Sequence, residues 1–252
     1  MARTRRVDIW NAVERTRASY YKSSIRRSRK GLKEQLKPIM EFLPDRIDEL
    51  TSSVVEALVD EQPIKDMMID IYYTVGRRFG KAVFGTLTKA EFTDDYFMRE
   101  VIQAVETAGM RGPDKKLLVK EMSDTTVKEV NHIISAAFEE GQSIQTTAAT
   151  IQASIKHMTN VRAVMIARTE TIRASNIGAM AGADMTGLKL NKEWISTFDD
   201  RARTDHMAAD GQKRAKEDTF YVGGEDLQYP ADASGSARNT INCRCTLAFI
   251  PI

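Results

Sequence analysis

The sequence predicts an α+β fold, in which a mainly helical N-terminal part is followed by a small α+β C-terminal domain. Apolar residues recur at helical spacing between residues 39 and 185, and after Gly187 the pattern changes to short β-rich runs separated by turn residues. The 252 residues, 42% apolar and 29% charged, have the composition of a globular protein. We therefore divide the chain into a basic N-terminal arm (1–37), a helical domain (38–185) and a small α+β domain (186–252).

The first half of the helical domain shows three amphipathic runs. Pro63 ends or redirects the first helix, because proline cannot continue a helical hydrogen-bond ladder. Residues 64–84 predict a second helix, and the apolar stripe within residues 97–108 predicts a third. The segment 109–113 has the sequence Gly-Met-Arg-Gly-Pro, which predicts that one helix ends there and another begins.

The second half is expected to contain a long helix and then two more. Gly141 follows the long helix at the place where a left-handed residue usually ends one. Ser143 can cap the next helix, and Asn160 can cap another that runs towards Gly187.

The C-terminal part predicts short strands. Residues 188–198 indicate a strand or a pair of strands, and residues 205–209 a short helix. Residues 220–229 contain two β-prone runs on either side of Gly223-Gly224, which predicts a hairpin, and residues 245–250 predict a last strand.

The charge of the chain is unevenly distributed. The net charge is +2, but residues 1–37 contain twelve Lys or Arg and three acids, which leaves −7 for the rest. The densest cluster holds Arg26, Arg27, Arg29 and Lys30, and we expect it to bind nucleic acid or the acidic face of a partner. A solvated basic helix or a loose tail, without a partner, is the alternative. The interleaved Trp10, Tyr20 and Tyr21 can stack on bases, but such aromatics more often pack against the protein.

Several function classes are excluded by composition. No apolar run approaches the ~18 residues of a membrane span, and no apolar segment follows the basic N-terminus as in a secretory signal. The two cysteines, Cys243 and Cys245, are too few for a disulfide framework.

Polar residues concentrate in the C-terminal part, and three interpretations compete. Cys243 and Cys245 lie at i and i+2 and can bind one Zn²⁺ with His206 and with Asp200 or Asp210. A hydrolytic site can use Asp199, Asp200 and His206, although no catalytic motif supports it.

The third interpretation is structural, and we favour it. Free cysteines are often buried, Asp200 can pair with Arg201 or Arg203, and Asn242 can satisfy a turn. In the preceding helix Thr169, Arg173 and Asn176 share one face and Glu170 can pair with Arg173, which favours a buried polar belt against the C-terminal part over a catalytic site.

These polar residues also occur as a set in a known family. The motif residues are, in chain order, Arg168, Glu170, Lys192, Trp194, Asp200, Arg203, His206, Asp210, Gly211, Phe220, Gly223, Gly224, Pro230, Asp232, Ile241, Asn242, Cys243, Arg244 and Cys245. Over about residues 140–252 the set resembles the C-terminal domain of the phage head-morphogenesis family typified by phage Mu protein F.

The resemblance implies a minor capsid protein of a tailed bacteriophage that associates with the portal vertex and assists procapsid assembly and DNA packaging or delivery. It implies no catalytic residue, and no cofactor apart from the zinc that the cysteines and His206 suggest. The expected partners are the portal protein, a scaffolding or major capsid protein and double-stranded DNA, but no membrane. The expected location is the virion head, after synthesis in the host cytoplasm. The competing hypothesis is a metal-dependent hydrolase that acts on nucleic acid in the head.

Overall fold

The structure, a computed structural model, describes residues 2–109, 117–141 and 143–252. The helices are α1 (Arg3–Arg46), α2 (Ser52–Leu58), α3 (Gln62–Ile71), α4 (Arg77–Leu87), α5 (Asp94–Thr107), α6 (Leu118–Glu139), α7 (Ile144–Asp184), α8 (Thr204–Ala208) and α9 (Ala237–Thr240). A turn of 3₁₀ helix (Ile47–Glu49) follows α1, and a π-helical turn (Tyr72–Gly76) joins α3 to α4. The strands are β1 (Leu190–Ile195), β2 (Lys213–Ala215), β3 (Phe220–Val222), β4 (Glu225–Leu227) and β5 (Thr246–Pro251).

Two long helices form the frame of the molecule. Helices α1 and α7 have 44 and 41 residues, so each is roughly 60–66 Å long. They pack along each other, and the shorter helices fill two hydrophobic cores against them. The first core joins α3, α4 and α5 to the C-terminal half of α7 around Tyr72 and Phe97. The second core joins α2 and α6 to the N-terminal end of α7 around Leu43 and Ile151.

The C-terminal part contains two small antiparallel sheets. Strand β1 lies between β2 and β5, with Trp194 opposite Leu247, while β3 and β4 form a separate hairpin. Gly223 and Gly224 turn the hairpin with φ of 58° and 87°, values that glycine adopts without strain. A third core around Trp194 and Phe220 packs against Ile172 of α7. This architecture confirms the predicted fold class and the predicted hairpin.

The predicted helix ends are partly confirmed. Gly141 ends α6 with φ of 64°, and the Ser143 hydroxyl accepts the Thr146 amide hydrogen at the start of α7. The prediction that Asn160 begins a new helix is wrong. Residues 144–184 contain no proline and pack along α1, so one helix continues through Asn160.

Three further sequence predictions compare with the structure as follows. The boundary placed between residues 37 and 38 falls inside α1, which continues without a break. The region 188–198 contains one strand rather than two, and the pattern did not predict the short strand β2 that pairs with it. The segment 109–113 lies outside the described residues except for Gly109.

Every described helix that is long enough to cross a bilayer is too polar to do so.

Candidate functional site

A buried polar belt on α7 joins the helical part to the C-terminal part. Glu170 and Arg173 are 3% and 2% exposed and form the predicted i, i+3 ion pair. The Tyr72 hydroxyl donates to Glu170 (2.7 Å), and Arg173 Nε donates to the carbonyl of Ala231 (2.7 Å). Burial lowers the pKa of Arg173, but the charge and hydrogen bond of Glu170, together with Tyr72 and Tyr229, outweigh this effect, so the pKa lies above its usual value.

The same face of α7 holds two loops of the C-terminal part in place. Asn176 Nδ2 donates to the carbonyl of Pro230 (2.9 Å), and Thr169 Oγ1 accepts the amide hydrogen of Asn242 (3.2 Å). Asn242 has φ of 56°, a left-handed conformation that asparagine tolerates better than most residues. The predicted buried polar belt is therefore present, and it fixes the loop that precedes the two cysteines.

Cys243, Cys245 and His206 form a compact buried cluster. They are 1%, 1% and 2% exposed, and their donor atoms all lie within 4.8 Å of one another. His206 Nδ1 is 3.4 Å from Cys245 Sγ and 3.6 Å from Cys243 Sγ. Among the described residues, neither Asp200 nor Asp210 belongs to this cluster, so neither supplies the fourth ligand that we expected.

The two thiols shift each other's pKa in opposite directions. A hydrogen bond from Cys245 lowers the pKa of Cys243 well below its usual value; burial opposes this shift and His206 adds to it. Burial raises the pKa of Cys245 well above its usual value, and the neighbouring Cys243 raises it further. The arrangement is typical of a thiolate that accepts a hydrogen bond from a thiol.

The other motif residues of the C-terminal part support its loops. The Asp210 carboxylate accepts the Ser196 amide hydrogen (3.0 Å), and Arg203 donates to the carbonyl of Ile241 (2.6 Å). Trp194 is fully buried, and its ring packs edge-on against His206 with centroids 5.8 Å apart.

The predicted ion pair of Asp200 with Arg201 or Arg203 is wrong. Asp200 is exposed, and the described side chains make no ion pair with it. Asp199 instead pairs with both terminal nitrogens of Arg244. The hydrogen bond from Arg244 lowers the pKa of Asp199 to about 2. The two aspartates are adjacent, and the position of Arg244 across the turn selects the first one.

Helix α1 contacts the C-terminal part through Arg17, whose burial was not predicted, and through Trp10, for which packing against the protein was the favoured interpretation. Arg17 is completely buried; its guanidinium donates to Ser175 (2.8 Å) and to the carbonyls of Arg244 (3.1 Å) and Cys245 (3.1 Å). Trp10 Nε1 donates to the carbonyl of Arg244 (3.0 Å). The signal was available, because Trp10, Val13, Arg17, Tyr20 and Ser24 recur at helical spacing and share one face of α1. The high charge of the segment obscured this pattern.

The outer face of α1 carries a row of exposed cations that we call the basic stripe. It consists of Arg15, Lys22, Arg26, Lys30, Lys33 and Lys37. Their spacing keeps them on one side of the helix over about 33 Å.

The four basic residues singled out from the sequence are not equivalent. Arg26 and Lys30 belong to the stripe, but Arg27 Nε donates to Asp70 of α3 (2.7 Å), and Arg29 is half-buried. Among the residues that the structure describes, Lys30 pairs with Glu34 alone, through an exposed contact within α1 (3.7 Å).

A cavity of about 440 Å³ lies between α6, α7 and the loop before α9. Its polar lining includes Arg162, Glu170 and Arg173. Neither Asp200 nor His206 lines it, so the cavity does not bring together the residues that the hydrolytic hypothesis requires.

Comparison with known proteins gives two findings. Residues 128–248 match the family model described as Phage Mu protein F like protein. The chain is also 32% identical over 159 residues to the NAD(+)--arginine ADP-ribosyltransferase EFV of Enterococcus faecalis, an alignment that covers 60% of this chain and 30% of the relative. The chain thus spans less than a third of that protein's length. No solved structure matches the chain.

Proposed function

We propose that the chain, whose residues 128–248 match the phage Mu protein F like family, is a phage head protein, namely a minor capsid protein that acts at the portal vertex. In this role it assists procapsid assembly and DNA packaging or delivery, with the portal protein as its main partner. A scaffolding or major capsid protein is a further partner of the same kind. The match over residues 128–248 carries this proposal, because it includes the motif-bearing half of α7 and nearly all of the C-terminal part.

The basic stripe supports a contact with double-stranded DNA. Its cations lie on a helix whose opposite face is anchored by the buried Arg17, so the stripe is a firm surface and not a loose tail. A length of about 33 Å corresponds to about one turn of duplex DNA. Contacts with phosphates position a protein on DNA without reading its sequence, which suits a protein that meets packaged DNA.

Salt dependence provides a quantitative test of the DNA contact. Glu34 and Glu41 pair with Lys30 and Lys37, so between four and six cations of the stripe are available for phosphates. With a slope of about 0.9 per phosphate contact, log affinity for duplex DNA should fall by about 4–5 per decade of salt concentration.

The variant for this test replaces all six residues of the basic stripe by Gln. The matched control replaces six exposed lysines outside α1, namely Lys81, Lys89, Lys128, Lys156, Lys189 and Lys213. Both variants lose the same charge, so only a contact specific to the stripe separates them. We expect the stripe variant alone to lose DNA affinity and most of the salt slope.

Co-purification with the portal protein of the same phage tests the role at the vertex. Failure of the wild-type chain to associate with the portal, in procapsids or with purified protein, would overturn that role. Unchanged DNA affinity in the stripe variant, together with loss of portal binding, would assign the stripe to an acidic portal face and refute the DNA contact.

The alternative function is a metal-dependent hydrolase that acts on nucleic acid in the head. The structure gives it little support, because His206 is buried with the cysteines while Asp200 is exposed and lies outside that cluster. Incubation of wild-type, His206→Ala and Asp200→Ala proteins with DNA and divalent cations tests it. Cleavage that both substitutions abolish while particle assembly persists would favour the enzyme. The transferase activity in the name of the Enterococcus faecalis relative belongs to that protein.

A further inference from the structure

The cluster of Cys243, Cys245 and His206 has the composition and the size of a metal site. We propose that these three side chains bind one zinc ion, which links α8 to the turn before β5. The proposal is independent of the function proposed above, because it rests on the donor atoms and their separations.

The separations match those around a tetrahedral zinc ion. With Zn–N of about 2.05 Å and Zn–S of about 2.3 Å, the nitrogen and each sulfur should be about 3.5 Å apart, and the sulfurs about 3.8 Å apart. The observed distances from His206 Nδ1 to the two sulfurs are 3.4 Å and 3.6 Å, and all three atoms lie within 4.8 Å of one another. Zinc therefore fits between them with only small side-chain movements.

The local backbone presents both sulfurs to the same point. Cys243 and Cys245 are separated by Arg244, whose side chain turns the other way to pair with Asp199. Asn242, in its left-handed conformation, brings the chain into this turn, and Arg17 holds the carbonyl of Cys245 from the α1 side. A spacing of one residue between the cysteines is therefore enough here, although structural zinc sites more often use two to four.

The second sphere of the cluster supplies N–H groups to sulfur. The amide hydrogens of Thr197 and Cys245 point to Cys245 Sγ and Cys243 Sγ, respectively. The buried indole N–H of Trp194 also points to Cys245. N–H donors of this kind stabilise metal-bound thiolates. Their presence around the two cysteines is therefore consistent with a metal site.

Zinc would stabilise a region that is small for its own core. The strands and helices of residues 186–252 are all short, and the loops that connect them are long relative to the two sheets. A metal that joins α8 to the turn before β5 would hold these two segments together, as structural metals do in small domains. Among the described residues, these three side chains are the ones whose donor atoms come together.

Metal analysis of the full chain tests the proposal directly. Protein purified without chelator from zinc-supplemented medium should contain about one zinc ion per chain. Cobalt added to the reduced, metal-free chain should give visible absorption of tetrahedral Co²⁺ and near-ultraviolet thiolate-to-cobalt bands. This spectrum requires no variant, so it remains informative even if substitutions in the cluster impair folding.

The variants Cys243→Ser, Cys245→Ser and His206→Ala should lose the zinc and the cobalt spectrum. The control His132→Ala removes an exposed histidine on α6 and should keep both. A strong chelator should lower the melting temperature of the wild-type chain, and added zinc should restore it. Purified protein without zinc, together with no cobalt spectrum and an unchanged melting temperature, would overturn the proposal.

Discussion

Helix α7 meets the π-helical turn and α4 at two pairs of glycines, and one added methyl group at this contact should destabilise the whole helical part. A Cβ atom on Gly178 would lie 2.2 Å from the carbonyl oxygen of Gly76, and one on Gly182 would lie 2.2 Å from that of Gly80. Ordinary contact begins at 3.4 Å, so the helices would have to separate locally by about 1.2 Å. The opposing atoms belong to the backbone, so no side chain can turn away.

The expected cost of Gly178→Ala follows from two opposing effects. Overpacking costs about 1–3 kcal/mol and occasionally more, and here the upper end applies because two backbones collide. The greater helix propensity of alanine offsets about 1 kcal/mol. We expect a net loss of about 2 kcal/mol, which for a chain of this size lowers the melting temperature by about 4–8 °C.

Urea and thermal unfolding, followed by circular dichroism, measure this loss. The matched control is Gly85→Ala in α4, where an added Cβ meets no atom within 4 Å. This control should gain up to about 1 kcal/mol from helix propensity alone. A Gly178→Ala protein that is as stable as the Gly85→Ala control would show that α7 and the π-helical turn do not make this close contact.

Three further perturbations concern buried or paired charges. Glu170→Gln should destabilise the fold by about 3–5 kcal/mol in urea unfolding, because it leaves the buried Arg173 without its counter-charge, and a loss below about 1 kcal/mol would contradict the pairing. Arg17→Met should weaken the attachment of the C-terminal part to α1, and hydrogen exchange in β5 should increase more than in α6. The pKa of Asp199 is lowered to about 2 by Arg244, whereas an unfolded aspartate titrates near 3.9. Its stabilising effect is therefore complete above about pH 4 and lost as the pH falls towards 2, so Asp199→Asn should reduce the pH dependence of the melting temperature in that window.

The regular elements were largely predictable, because they depend on local patterns. The apolar stripe of α5, the Ser143 cap and the Gly223-Gly224 turn follow from spacing and from the conformations that single residues prefer. The wrong prediction that a new helix begins at Asn160 has a physical reason as well. A capping residue is compatible with a helix start but does not force one, and packing along α1 decided for a single helix.

The chemistry of the candidate sites was predictable only in part. The pair Glu170 and Arg173 lies within one helical turn, so its geometry is contained in the sequence. The choice of Asp199 over Asp200 is not, because it depends on where Arg244 arrives from another part of the chain.

The sequence by itself determined the helical and α+β parts, the belt on α7, the basic charge of α1 and the family motifs, all of which are properties of neighbouring residues. Only the tertiary structure decided that Arg17 is buried while Arg26 is exposed, and that Cys243 and Cys245 close around His206 without either nearby aspartate. These outcomes depend on contacts between α1, α7, α8 and β5, which lie far apart in the chain. The energies of such contacts are set by burial and by partners, and neither can be read from a local pattern.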